Sequence, residues 1–398
     1  MDRIKNTTYS QLALYLIFFS TVIQAVAGYA RDASQIFKII LSLACWSSLF
    51  LSYMLHSNLS SIMSHKLSIL YKMFACVIAW SVINAILFGR VYEGNKLFVL
   101  MGNMYAALNI VCFFFITTIV DTIGLKRLLH ITVAYTIMSI LLLIFNYQVT
   151  IESYFLIYPF TYAMLFMPYV KRKYKFYIIL GFGLSYFALI GGGRQVILFW
   201  GFNILAFLLY KYSNKKITFI TSLIIIILPW ILFWYSIYTG TSIFETLSND
   251  VTDDNGLNVD TRTFLYEEVF SDLSPQSLLT FLFGKGAIAY YDSSFFSTFH
   301  RLGVEIPILQ WLLQAGLIYV ILFTIISICA VINLYKFGNS KFCIISSILI
   351  ASYYFNCFVS NLNGCNISIM AFWFLVYLSN NKRMMNIDDK KWRLILRT

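Results

Sequence analysis

The chain has 398 residues, of which 60% are hydrophobic and only 12% charged, and its formal net charge is +12. A soluble domain carries about a quarter of its residues as charged side chains, so this composition excludes a water-soluble globular fold. The positive excess does not point to nucleic acid either. Its Lys and Arg residues sit in short clusters between apolar runs, as membrane-topology signals do, and form no groove-lining stripe.

The first ten residues are polar and the apolar run after them is long enough to span a bilayer, so no cleavable signal peptide is expected. Runs of roughly 20 apolar residues then recur from end to end. Twelve spans are predicted, at 11–29, 36–55, 68–88, 97–120, 128–146, 152–170, 174–191, 195–210, 217–238, 308–334, 342–359 and 366–380. The expected fold is an all-α polytopic membrane protein, a single integral membrane domain over 1–398. Pro159 and Pro168 in the sixth span and Pro229 in the ninth read as kinks relieved by neighbouring helices. The seven cysteines lie in or beside apolar runs without metal or disulfide spacing, and read as small core residues.

With the N-terminus inside, 21 of the 29 Lys and Arg residues fall on the cytoplasmic side. The clusters KRKYK (171–175) and KYSNKK (211–216) flank the seventh and eighth spans. They place both termini and the 381–398 tail in the cytoplasm and make 239–307 one long external, periplasmic loop. That loop reads as structured. Asp260 caps a helix over Thr261–Ser271, and Pro275 opens a short apolar helix, SPQSLLTFLF, ending at the Gly284-Lys-Gly286 turn. Both look like amphipathic helices on the outer leaflet or over a cavity. The acidic stretch NDVTDDNGLNVD fails the calcium-loop pattern at both terminal ligands, and no external DxD or HExxH occurs, so no obligatory metal is expected.

Of four histidines only His300 is external, and its ordinary pKa suits a general base or acid; a hydrogen-bonded interfacial histidine is the alternative. Three external arginines oppose the positive-inside preference. Arg194 follows Gly191–Gly193 at the start of a span, where Gly192 and Gly193 allow close backbone approach to an anion. Arg262 lies in the long loop and Arg301 follows His300. Guanidinium suits phosphate or pyrophosphate. A snorkelling helix-end anchor is the other reading of Arg194, and a surface ion pair with Glu267 or Glu268 that of Arg262.

Three external blocks, in this order, resemble the O-antigen polymerase (Wzy-type) and O-antigen ligase superfamily of bacterial envelope enzymes. They are GGGR (191–194), TRTFLYEEVF…FGKG (262–286, beginning at Arg262 with its preceding Thr261) and FHRLGVEIPILQWLLQAGLIYVILF (299–323). The resemblance covers roughly residues 185–325. It departs from the family in carrying glycines before Arg194 where serines are common, Arg301 where Asn often follows the histidine, and Gln310 and Gln314 where the ligase branch has Glu. The last departure favours polymerase over ligase.

The resemblance implies a GT-C-like membrane glycosyltransferase of the inner membrane, without cofactor, whose donor and acceptor are glycans on undecaprenyl pyrophosphate. It also implies a chain-length regulator protein as partner. On that reading Arg194 and Arg262 stabilise the diphosphate leaving group without metal and His300 takes the acceptor proton. Arg301 binds acceptor or phosphate, and Glu305 or Asp292 orients the histidine or the sugar. A ligase passing polymer to lipid A core would use the same parts. A flippase or exporter would instead place charges inside its spans.

Overall fold

A computed structural model describes residues 15–16, 40, 43–44, 47, 51, 65–88, 122–145, 161–190, 195–212, 214–239, 263–273, 277–294, 298–301, 303–359 and 367–397. The first, second and fourth predicted spans lie outside them, apart from isolated positions.

The described part is a helical membrane protein. Its helices are α1 (His65–Phe88), α2 (Thr122–Phe145), α3 (Arg172–Ile190), α4 (Gln195–Tyr212), α5 (Lys215–Thr239), α6 (Thr263–Leu273), α7 (Leu278–Phe283), α8 (Pro307–Phe337), α9 (Lys341–Val359), α10 (Ile367–Leu378), α11 (Lys382–Met385) and α12 (Asp389–Arg397). Among the described residues four helices, α1, α5, α8 and α9, are long and apolar enough to cross a membrane; α4 and α10 are shorter apolar helices. α5 runs unbroken through Pro229. Its exposed Ile217, Ile220, Ile224, Ile227 and Ile231 recur every three or four residues, a row that suits lipid. The opposite side packs against α9, where the Ser222 and Ser347 hydroxyls lie 3.0 Å apart.

The core is aromatic and lies between α1, α8, α9 and α10. Phe74 of α1 packs on Tyr319 of α8 and Trp373 of α10, while Phe323 meets Trp311, Trp373 and Tyr354. All six of the largest rings here, Trp311, Trp373, Tyr319, Tyr354, Phe74 and Phe323, are fully buried.

Two expectations need correction. The sixth predicted span does not continue as a helix to 170. Residues 161–170 form one 3-10 turn, Ala163–Leu165, followed by further turns. Pro168 explains this, since it has no N–H to donate and disfavours helical backbone before it. The short loop helix begins at Leu278, not before, because the Ser277 hydroxyl caps it by accepting from Thr280 N. The helical fold also carries one small addition. Tyr291–Ser293 (β1) and Thr298–Arg301 (β2) form an antiparallel hairpin, with Tyr291 paired to Arg301 and Ser293 to Thr298.

One feature positions everything at this end. α8 has 31 residues and would rise about 46 Å if straight, far more than the roughly 30 Å hydrocarbon core. It breaks at Gly316, where φ is 78° and ψ −179°. The arm from Leu317 to Phe337 alone rises about 31 Å, enough to span, which leaves Pro307–Ala315 as a short arm buried in protein.

The break frees carbonyls, and the GKG turn takes them. Lys285 N donates to Leu313 O at 2.8 Å and Gly286 N to Gln314 O at 3.0 Å. Ser81 of α1 completes the seam: its hydroxyl donates to Gln314 O at 2.7 Å and its carbonyl accepts from Ala287 N at 3.0 Å. Irregular backbone at membrane depth is tolerated when protein partners satisfy it in this way. The apposition requires glycine on both sides. A Cβ at Gly316 would stand 2.2 Å from Leu282 O, and one at Gly284 2.5 Å from Ala315 N.

Candidate functional site

The seam holds the short arm of α8 beside the β1–β2 hairpin and helix α6. Leu265, Val269 and Leu273 recur every four residues on α6 and are buried, which fixes that helix against its neighbours. Lys285 in the glycine turn is ion-paired with Asp272 near the end of α6.

Four polar side chains then converge. Arg301 Nη2 on β2 donates to Glu305 Oε1 at 3.2 Å, an i,i+4 pair in which both groups remain partly exposed. The β1–β2 register sets Tyr291 across from Arg301, and Tyr291 is fully buried. Burial pushes its hydroxyl up to about 12; the Arg301 guanidinium pulls the other way, and the Glu268 and Glu305 carboxylates add to the rise. Glu268 reaches the group from α6 and accepts from the Ser294 hydroxyl at 2.9 Å. The result is a cation paired with one carboxylate beside a buried phenol, with the Glu268 carboxylate near the same phenol. Such a group suits an anion or a hydroxyl-rich ligand.

Strand alternation places Tyr291 and Ser293 inward and Asp292 on the exposed side of β1. Asp292 is exposed on β1, and Arg301 and Glu305 are brought together. His300 lies on β2 immediately before Arg301. Arg194, Gly192, Gly193 and Arg262 lie outside the described residues; α4 begins at Gln195 and α6 at Thr263, each next to one of the arginines. Gln310 and Gln314 are buried and serve the backbone. Gln310 Oε1 accepts from Val304 N at 2.5 Å, and Gln314 Nε2 donates to Ala287 O at 3.1 Å.

Sequence reasoning missed Glu268 and Tyr291 as members of this group. The signal for Tyr291 was the alternation of Tyr-Asp-Ser, which turns Tyr291 inward whenever Asp292 turns out. No comparable signal marked Glu268, because only the packing of α6 decides which of its two glutamates meets the hairpin.

α6 and the short arm of α8 also line an apolar cavity of about 240 Å³, together with Trp230 and Trp234 of α5 and Phe281 of α7; Tyr266, Phe270 and Leu312 are among its walls. Tyr266 hangs its roof from α9, donating to Phe358 O at 2.7 Å. Trp230 Nε1 donates to Tyr354 OH, and the Thr324 and Tyr354 hydroxyls meet, each at 2.7 Å, which leaves only ring faces and alkyl groups toward the void. Glu305 precedes the cavity residue Ile308 by three positions, so charge and hydrocarbon surface adjoin.

Comparison with protein-family models, with characterised proteins and with solved structures returns no match to this chain. The case for function therefore stands on the residues themselves.

Proposed function

We propose that the protein polymerises lipid-linked oligosaccharide repeat units of a surface polysaccharide at the outer face of the bacterial cytoplasmic membrane. In the reaction, the bond between the glycan's anomeric carbon and the pyrophosphate of undecaprenyl pyrophosphate breaks. A hydroxyl of the incoming lipid-linked unit forms the new glycosidic bond, the departing pyrophosphate keeps the electron pair, and the hydroxyl proton passes to His300. Arg194 and Arg262 meet the charge that develops on pyrophosphate. Arg301, set by Glu305 and Tyr291, holds acceptor or phosphate.

The observation that carries this reading is the adjacency of the Arg301–Glu305–Tyr291–Glu268 group to an apolar cavity between membrane helices. A ligand with a charged, hydroxylated head and a hydrocarbon tail fits both halves. Among the described residues the buried polar side chains are Ser, Thr, Asn and Gln, which gives no support to a charge-lined export path.

The test is the size distribution of surface and lipid-linked glycan in cells lacking the protein. A single repeat unit on the surface acceptor in place of a ladder is expected. Full-length polymer stranded on its lipid carrier would mean a ligase, and units trapped in the cytoplasm an exporter. In complemented cells, His300→Ala is expected to abolish extension while the protein still inserts, and normal-length glycan from it would remove the base assignment. Arg194→Lys keeps the charge but loses the bidentate fork, so a large loss there supports pyrophosphate recognition.

A further inference from the structure

Between residues 153 and 244 the chain contains no Asp or Glu, yet it carries Lys171, Arg172, Lys173, Lys175, Arg194, Lys211, Lys215 and Lys216. All but Arg194 gather at one end of the bundle, where α3 starts, α4 ends and α5 starts. Two basic side chains there turn inward to serve helix ends. Lys215 Nζ donates to Gly338 O at 3.1 Å, and Lys341 Nζ of α9 donates to Tyr210 O at 2.9 Å. The nearby Asp389 is committed as well, accepting from Tyr169 OH at 2.6 Å and from Lys341 N at 3.2 Å.

Arg172, Lys173, Lys211 and Lys216 are different. All four are exposed, and no carboxylate partner for them occurs among the described residues. Each stands at the foot of an exposed apolar row. Arg172 lies one turn from Phe176 on α3, Lys211 one turn from Leu208 on α4, and Lys216 beside Ile217 and one turn from Ile220 on α5. Tyr212, 72% exposed, follows Lys211, whose ammonium sits 4.8 Å from the Tyr212 ring centre. Rows of isoleucine, leucine and phenylalanine that end in a tyrosine and exposed cations match the passage from acyl chains to headgroups.

We propose that this rim, Arg172, Lys173, Lys211 and Lys216, is a binding site for anionic phospholipid headgroups of the adjoining leaflet. Charge complementarity names the occupant: four exposed cations with no carboxylate partner among the described residues suit an external anion. The apolar rows directly above them continue into hydrocarbon, which a soluble anion cannot cover. The site lies at the end of α3, α4 and α5 remote from the polar group, and it does not depend on the polymerase reading.

The purified full-length protein would be reconstituted in nanodiscs of mixed phosphatidylcholine and phosphatidylglycerol, and the lipids retained on extraction counted by native mass spectrometry. The wild type is expected to retain phosphatidylglycerol in preference by at least about fivefold, the factor one cation contributes at an anionic surface. The preference should shrink as salt is raised. The variant R172Q/K173Q/K211Q/K216Q is expected to retain the two lipids in proportion to supply, with an unchanged melting temperature, because all four side chains are exposed. K390Q/K391Q/R397Q, on the exposed side of α12, is the control and should keep the preference. Equal retention by the wild type would overturn the proposal, as would a preference that survives in the rim variant or vanishes in the control. Binding of soluble polyglutamate with no lipid preference would also overturn it and point to an acidic protein.

Discussion

At one end of α8 the chain breaks its longest helix at Gly316, threads the GKG turn into the gap, and buries a phenol beside an ion pair near an apolar cavity. At the other end α8 hands over to α9 through residues 338–340, and the tail closes against that turn without irregular helix backbone. There Trp392 of α12 stacks on Phe342 with ring centres 4.4 Å apart and donates from Nε1 to Ser340 Oγ at 3.2 Å. Asp389 ties α12 to Tyr169 and to the first N–H of α9. Asn381 caps α11, and Asn339 N donates to Met385 O at 3.0 Å. The tail end satisfies its groups through caps and ring stacking, as a fastening does. The other end accepts a positive-φ glycine and partly exposed charges, costs that a fastening alone does not require.

That contrast predicts different consequences for damage at the two ends. The largest effect is expected from Gly316→Ala. The new Cβ would meet Leu282 O at 2.2 Å and the residue would have to hold φ 78°, so the seam must shift. A cost of about 3 kcal/mol is expected, together with about a hundredfold loss of polymer output from misplacement of the short arm. Thermal unfolding in detergent and glycan ladders measure the two. Wild-type values in both would dissolve the distinction between the ends.

Trp392→Ala should destabilise by a similar amount, about 3 kcal/mol, but as local release of the tail. Proteolytic clipping after Asn381 should rise while the glycan ladder keeps its length. A shortened ladder would show that the tail also governs the site.

Smaller effects are expected within the polar group. Arg301→Ala should cut polymer output more than tenfold, whereas Glu305→Gln should change the melting temperature little, because a partly exposed ion pair contributes about 0.2–1 kcal/mol. If both variants leave output unchanged, the group is structural.

The smallest effect is in alkaline pH. Burial pushes the Tyr291 hydroxyl up to about 12 from an ordinary value of 10. Its protonated form is thus favoured by folding: there is no pH effect below 10, and stability falls as pH rises from 10 toward 12, where the unfolded chain ionises first. Tyr291→Phe should flatten that part of the melting-temperature profile relative to wild type. An identical profile would mean that Tyr291 is not held neutral by burial.

Much of the frame was legible because long apolar runs leave a chain few choices. Predicted spans 217–238, 342–359 and 366–380 correspond closely to α5, α9 and α10. The GKG turn was also legible, since glycines flanking a single residue after an apolar run end a helix. What the turn is for was not legible, because its partner at Gly316 is distant in sequence and looks from composition like an ordinary position in an apolar span. The site divides the same way. Arg301 and Glu305 stand four residues apart and could be read together, while Glu268 and Tyr291 reach them only through the packing of α6 and the hairpin.

By itself, then, the sequence determined that this is a helical membrane protein, roughly where the four long apolar helices α1, α5, α8 and α9 run, and which end of the described bundle is basic, because hydropathy and charge act over neighbouring residues. Only the tertiary structure decided that α8 is two helices, that a hairpin carries His300 and Arg301, and that a charged group adjoins an apolar cavity. Those depend on which freed carbonyl finds which N–H across the chain, and no local pattern records that.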